Sequence, residues 1–331
     1  MNSKYSSLES ELPIEKIHLK KKVEMGRLLT KYGVYIAFLC LVIVLSLSSE
    51  SFLTVNNVLN ILRQVSIIGI ISIGMTFVII TSGIDLSVGA VVALTSVIVA
   101  GFAQTGGSYP LIVPIVIGML VGVACGLING ITIARWNVAP FVVTLGMMTA
   151  ARGLALVISD GQPVINLSES FKQIGGGDLL GIPIPILIFL GVIIIGVFVL
   201  NYTRLGRYIY ATGGNEQAAN FSGISTRYIK ILAYSIAGLT AGIASIVLSS
   251  RVMSGSPVLG EGYELDAIAA VVIGGTSLFG GIGSIYGTVI GVLMIGVLNN
   301  GLDLLNVSSY YQQILKGVII VLAVLLDKKK N

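Results

Sequence analysis

The sequence predicts an all-α fold, a polytopic membrane helix bundle of about ten transmembrane helices, on three observations. The 331 residues are 55% hydrophobic and 11% charged, whereas a soluble domain carries roughly a quarter charged residues. Apolar runs near the roughly 20-residue length that crosses a bilayer recur along the chain. The runs are continuous rather than alternating. Only helices and closed barrels satisfy their backbone in lipid, so helices are expected over a barrel.

Ten membrane segments are expected, at 33–49, 65–81, 86–104, 111–133, 138–158, 183–201, 231–249, 267–279, 285–299 and 311–326. The eighth is short for a crossing: either it is a half-helix buried among neighbours or it begins further back. The chain then divides into a polar tail (1–32), a transmembrane domain (33–326) and a basic tail (327–331). The stretch Met1–Lys31 is too long and too charged for the n-region of a cleaved signal peptide, so it is expected to be retained, with the first apolar run as a signal anchor.

Orientation follows from Lys and Arg, which concentrate in cytoplasmic loops. With ten spans, the tails and the loop at 201–230 share one side with most of the 20 basic residues. Only Arg63, Lys172 and Arg251 fall on the other side, and Arg152 and Lys316 fall within spans. Both termini and the 201–230 loop are therefore expected in the cytoplasm.

A divergent internal repeat is also expected. Arg63 with Gly74-Met75-Thr76 matches Arg227 with Gly238-Leu239-Thr240, and Gly89-Ala90-Val91-Val92 matches Ala269-Ala270-Val271-Val272. Asn129-Gly130 matches Asn300-Gly301 in the same order. Spans two to five would correspond to spans seven to ten, entering from opposite faces, a pattern of transporters with midplane sites. The alternative is chance likeness among Gly- and Val-rich helices.

Gly118, Gly122, Gly126 and Gly130 recur every fourth residue and line one helix face, where small residues let two backbones approach closely. No Gly-Lys dipeptide occurs, so no G-x-x-x-x-G-K-[ST] phosphate loop exists and the chain itself is expected to hold no ATP. His18 is the single histidine, and Cys40 and Cys125 sit in apolar runs, so neither a metal site nor a disulfide framework is expected.

Two loops between spans stand out. Ser82–Gly89 holds Asp85, which either contacts a polar substrate or a proton, or caps the following helix by accepting backbone N–H bonds. Val272–Gly283 is dense in glycine and is expected to form a tight re-entrant bend. The outer loops carry most of the remaining acids, among them Glu261, Glu264 and Asp266. These form either a solvated surface or a docking face of complementary charge.

Between Asn201 and Lys230 the chain stops being apolar. Gly213-Gly214 precedes Asn215, a good N-cap, and Glu216 places negative charge in the first turn. Gly223 supplies a C-terminal stop. A helix of about two turns is expected over 215–223, bearing Ala218, Ala219 and Phe221. A helix shorter than roughly a dozen residues is marginal in water, so it needs a surface to pack on, within the protein or on another subunit.

Several runs resemble the membrane permease subunits of bacterial ABC importers of the monosaccharide, ribose-type class. They are Ser51–Asn57 (SFLTVNN), Thr81–Gly89 (TSGIDLSVG), Thr203–Tyr210 (TRLGRYIY), Gly213–Glu216 (GGNE), Ser222–Ile224 (SGI), Gly262–Ala270 (GYELDAIAA), Leu298–Gly301 (LNNG) and Val307–Gln312 (VSSYYQ). The resemblance covers nearly the whole chain after the tail. It departs at Ile282, where the family's Gly-Gly-x-Gly turn is expected to hold a basic residue.

The resemblance implies a pair of permease chains in a bacterial plasma membrane, with two cytoplasmic ATP-binding subunits and an external sugar-binding protein. ATP and Mg would belong to the partner subunit, and nothing in it implies a nucleic acid. The 215–223 helix would sit in a cleft of the ATPase, with Gly214, Asn215, Glu216, Ala219, Phe221 and Gly223 as coupling residues. Asp85, Ser87, Asn129, Asn299 and Asn300 are candidates for the translocation path or its gate, and Glu261, Glu264 and Asp266 for binding-protein docking. Ribose leads among sugars, with galactose, xylose, a furanosyl signalling molecule or a nucleoside open. The second hypothesis is an ion-coupled carrier of a small polar solute; an embedded enzyme lacks any His, Cys or paired-carboxylate constellation.

Overall fold

The computed structural model describes residues 33–107 and 109–328. The expected tail at 1–32 and the last residues of the basic tail lie outside the described residues. Each expected apolar segment falls on a helix: α1 (Gly33–Ser48), α2 (Val55–Ile80), α3 (Val88–Phe102), α4 (Ile112–Trp136), α5 (Pro140–Ser159), α7 (Ile184–Tyr202), α10 (Thr226–Val252), α11 (Tyr263–Ile273), α12 (Ile285–Leu304) and α13 (Ser309–Lys328). Three more helices, α6 (Glu169–Gly176), α8 (Arg204–Gly214) and α9 (Glu216–Phe221), and a two-stranded hairpin of β1 (Asp178–Leu179) and β2 (Ile182–Pro183) complete the described residues.

Among the described residues, six helices are long and apolar enough to cross a membrane: α2, α4, α5, α7, α10 and α12. Helices α1 and α3 are apolar but shorter. Helix α11, at 11 residues, is only about 16 Å long at 1.5 Å per residue, against a hydrocarbon core of roughly 30 Å. Helix length therefore does not establish ten full crossings. The eighth segment resolves both ways at once: α11 begins further back than expected, and it is a half-helix. Gly274 and Gly275, the latter at φ 91°, stop it where the apolar run continues.

Helix ends follow local chemistry. Pro140 sits in the first turn of α5, where its missing N–H has no partner to lose. The Ser284 hydroxyl accepts from the Gly287 N–H at 3.0 Å to cap α12. Left-handed Asn137, Asp160 and Met253 end α4, α5 and α10.

Helices α2 and α10 form the centre: 89% and 67% of their apolar windows are buried, against 17% in α5 and 22% in α7. The outer helices instead expose apolar side chains such as Leu154, Ile194 and Phe198, as a lipid-facing surface requires. The glycine stripe of α4 packs on α10. A Cβ on Gly122 would meet the Gly238 carbonyl, and one on Gly126 the Tyr234 carbonyl. The close-approach reading of that stripe is thus correct.

The order long, short, long, long occurs twice, as α2–α5 and α10–α13, and the packing partners correspond. Helix α10 lies on α4 as α2 lies on α12; α3 touches α4 and α5 as α11 touches α12 and α13. The two short helices have their N-termini together inside the bundle. A Cβ on Gly89, in the first turn of α3, would meet Glu264 of α11 and the Gly260 carbonyl before it.

Candidate functional site

Three places gather the singled-out residues. The first is the segment 203–225, on the face where α2 ends and α10 begins. Its structure differs from the expected single helix, because α8 precedes α9. The Thr203 hydroxyl accepts from the Gly206 N–H at 3.3 Å, and Thr203-Arg204 follows α7 without a polar spacer, so the sequence hid this start. The expected caps of α9 are present. Asn215 Oδ1 accepts from the Ala218 N–H at 2.9 Å, and Gly223 turns the chain at φ 82°. Ala219 is buried on the protein itself, whereas Phe221 is 92% exposed. Glu216 is fixed by Lys230 at 2.6 Å, and Gly214 lies beside both on the rim of a small crevice.

Hydrogen bonds tie this segment to the turn before α3 and to the turn after α11. Ser82, itself at φ 61°, donates to the Phe279 carbonyl at 2.9 Å and the Gly213 carbonyl at 3.3 Å. The Gly281 N–H donates to the Ile80 carbonyl at 2.9 Å, and the Tyr210 hydroxyl to the Gly283 carbonyl at 2.7 Å. Burial raises the Tyr210 phenol above its ordinary value, which keeps it a donor. The glycine-dense segment makes the tight bend that was expected, with positive φ at Gly275, Gly280 and Gly281; Ile282 is exposed on it.

The second place is the approach to α3. Asp85 is buried and accepts from the Ser87 N–H at 2.8 Å and the Ser87 hydroxyl at 2.6 Å. Asn129 of α4 donates to the same hydroxyl at 2.9 Å. The carboxylate thus tightens the turn before the helix, as in an Asx-turn. Three of the path candidates are brought together here, in one network that leaves Asn129 Oδ1 without a partner.

The third place is the approach to α11. Here a cavity of about 850 Å³ is lined by Asn299, Glu261, Glu264, Asp266, Gln313 and Lys316, among others. Asp266 is buried and paired with Lys316 at 2.9 Å, so this chain does not present it on an outer surface. Glu264 is half-buried and Glu261 is exposed. Asn299 reaches the cavity, but Asn300 does not join it: it exchanges two hydrogen bonds with Asn57 of α2, at 2.9 and 2.8 Å. Across the half-helices, Arg152 of α5 donates to the Pro257 and Leu259 carbonyls at 2.6 and 3.1 Å. It also lines a second cavity, of about 630 Å³, with Glu261 and Glu264.

Sequence reasoning noted Arg152 and Lys316 only as charges within spans. The spacing of Gln312 and Lys316, one helical turn apart on α13, was the available signal for a polar face. Among the described residues, no group of three or more His, Cys, Asp and Glu could hold a metal ion.

The sequence pattern of the family described as branched-chain amino acid transport system / permease component matches residues 57–324. The chain is 49% identical to the ribose import permease RbsC of Bacillus subtilis over 94% of its length and 97% of that protein's. It is 48% identical to the ribose import permease RbsC of Escherichia coli K12 over 89% and 93%, respectively. The D-allose transport system permease AlsC of Escherichia coli K12 is 41% identical, over 93% and 95%. No solved structure matches.

Proposed function

We propose a role for this chain, which belongs to the branched-chain amino acid transport system / permease component family, as the membrane-spanning subunit of an ATP-binding-cassette importer of ribose. The observation that carries the reading is near-half identity, end to end, with ribose import permeases. The ion-coupled alternative has no comparable support.

In this reading the chain crosses the membrane ten times with both termini in the cytoplasm, and its two halves are an inverted repeat. The matched helix order and packing partners support the repeat. The excess of Lys and Arg on one side supports the orientation. A second copy completes the pore. Separate cytoplasmic subunits hold ATP and Mg, and an external protein delivers the sugar to the outer surface, with Glu261 as the exposed member of its docking acids.

Helix α9 is the coupling element. Its buried Ala219 and its exposed Phe221 suit a helix that packs on this chain with one face and inserts into the ATPase with the other. Motion of α8 and α9 reaches both half-helices through Ser82, Tyr210 and Gly281.

The test is uptake of radiolabelled D-ribose in bacteria whose own ribose permease is deleted and replaced by this chain. Restored uptake that collapses when ATP is depleted is expected. Uptake that follows an ion gradient and ignores ATP would overturn the proposal. Gly223→Pro should abolish uptake with normal membrane insertion, because proline cannot adopt φ 82°.

A further inference from the structure

The outer face of α7 is apolar to its end, and charge follows at once. Ile194, Ile195 and Phe198 are exposed along it, and Phe198 stacks on the exposed Tyr202 with ring centroids 6.3 Å apart. Thr203 alone separates α7 from α8. Gly206 then seats α8 against the end of α7, where a Cβ would meet the Leu200 carbonyl. Helix α8 buries Gly206, Ile209, Thr212 and Gly213, and exposes Arg204, Arg207 and Tyr208. Residues three and four apart are neighbours on a helix surface, so the exposed three share one face. A two-sided helix of this kind, directly after a membrane span, suits the headgroup layer.

Neither arginine has an anionic partner among the described residues. Glu216, the one carboxylate between 201 and 230, is held by Lys230 at 2.6 Å. Like charges one turn apart repel, and a single anion between them removes that repulsion. The same end of the bundle pairs arginine with an exposed ring twice more, as Arg135-Trp136 at the end of α4 and Arg227-Tyr228 at the start of α10. Tyr and Trp gather where lipid meets water. An acidic surface on a soluble subunit would also suit the charge, but the rings, and the apolar strip of α7 that leads to them, suit lipid. Guanidinium forks match phosphate oxygens, and anionic headgroups attract basic residues beside a membrane span.

We propose that Arg204 and Arg207 hold the phosphate of an anionic phospholipid, with Tyr202 and Tyr208 at the edge of the site, whichever solute the chain carries. The lipid braces the helix from which α9 continues. That helix donates to the Gly283 carbonyl through Tyr210 and accepts from Ser82 at the Gly213 carbonyl.

The test is native mass spectrometry of the full chain, released from detergent micelles after incubation with equal amounts of phosphatidylglycerol and phosphatidylcholine. The wild type should retain phosphatidylglycerol over phosphatidylcholine by about tenfold or more, and Arg207→Gln should cut that preference about fivefold, the effect of one basic residue at an anionic surface. Arg204→Gln should do the same, and it replaces Arg207→Gln if that variant does not fold, as judged by thermal midpoint and elution. Arg135→Gln, which removes a charge from the same end but away from α8, should change the preference less than about twofold. Equal retention of the two lipids by the wild type would overturn the proposal and return both arginines to an acidic surface of a partner subunit. Equal losses in Arg207→Gln and Arg135→Gln, or displacement of phosphatidylglycerol by an equal concentration of inorganic phosphate, would overturn it as well.

Discussion

The two half-helices are built alike and finished differently. At α3 the approach is filled: Asp85, Ser87 and Asn129 bond one another and are all buried, with Asn129 Oδ1 left without a partner. At α11 the approach is open: Asp266 is held by Lys316, and Asn299 and Glu264 line a cavity of about 850 Å³. Helix α4 supplies the asparagine in the first case and α12, its counterpart, in the second. The difference teaches that a repeated scaffold can close its polar groups on one another in one half and set them around a cavity in the other.

The comparison can be broken most severely where the halves meet. Gly89→Leu drives a side chain into Glu264 and the Gly260 backbone, and no rotamer avoids the backbone. The folded protein should be absent from membranes, as read by fluorescence-detected size exclusion. Phe221→Ala, on the exposed side of α9, should lower ribose uptake at least tenfold with folded amounts unchanged. That would separate coupling from both half-helices.

A smaller effect is expected at the ion pair. Asp266→Asn leaves Lys316 half-paired in a half-buried place and should cost about 1–3 kcal/mol, seen as a lower thermal midpoint. Adding Lys316→Gln should recover part of that loss, since two amides can bond each other. Smallest is Lys230→Gln. Its partner Glu216 is exposed to solvent, so the pair contributes at most about 1 kcal/mol, and the thermal midpoint should barely move.

Much of this was legible in the sequence, because membrane helices announce themselves by composition and because the α9 caps, Asn215 and Gly223, are local chemistry. The glycine stripe on α4 also predicted its own use, since a four-residue repeat defines a face. What could not be read was depth. Asp266 and Glu264 follow a span and look like outer-loop acids, yet the chain from 253 to 262 turns inward beside α3, where Ser96 donates to the Ser256 carbonyl at 3.2 Å. Periodicity cannot show a segment that dips in without a helix. Nor could it separate Asn299 from Asn300: neighbours on a helix point about 100° apart, one into the cavity and one to Asn57.

The central claim is that the chain passes a sugar, along a path that we propose runs by the α11 approach rather than the α3 one. Its most direct test is ribose uptake per folded molecule for Asn129→Ala and Asn299→Ala side by side. Asn129→Ala should lower the thermal midpoint and the folded amount but keep uptake per folded molecule within about twofold, because it opens a buried network. Asn299→Ala should keep the midpoint and lose at least fivefold in uptake per folded molecule. Equal losses in the two variants, or a larger loss at Asn129, would contradict the account.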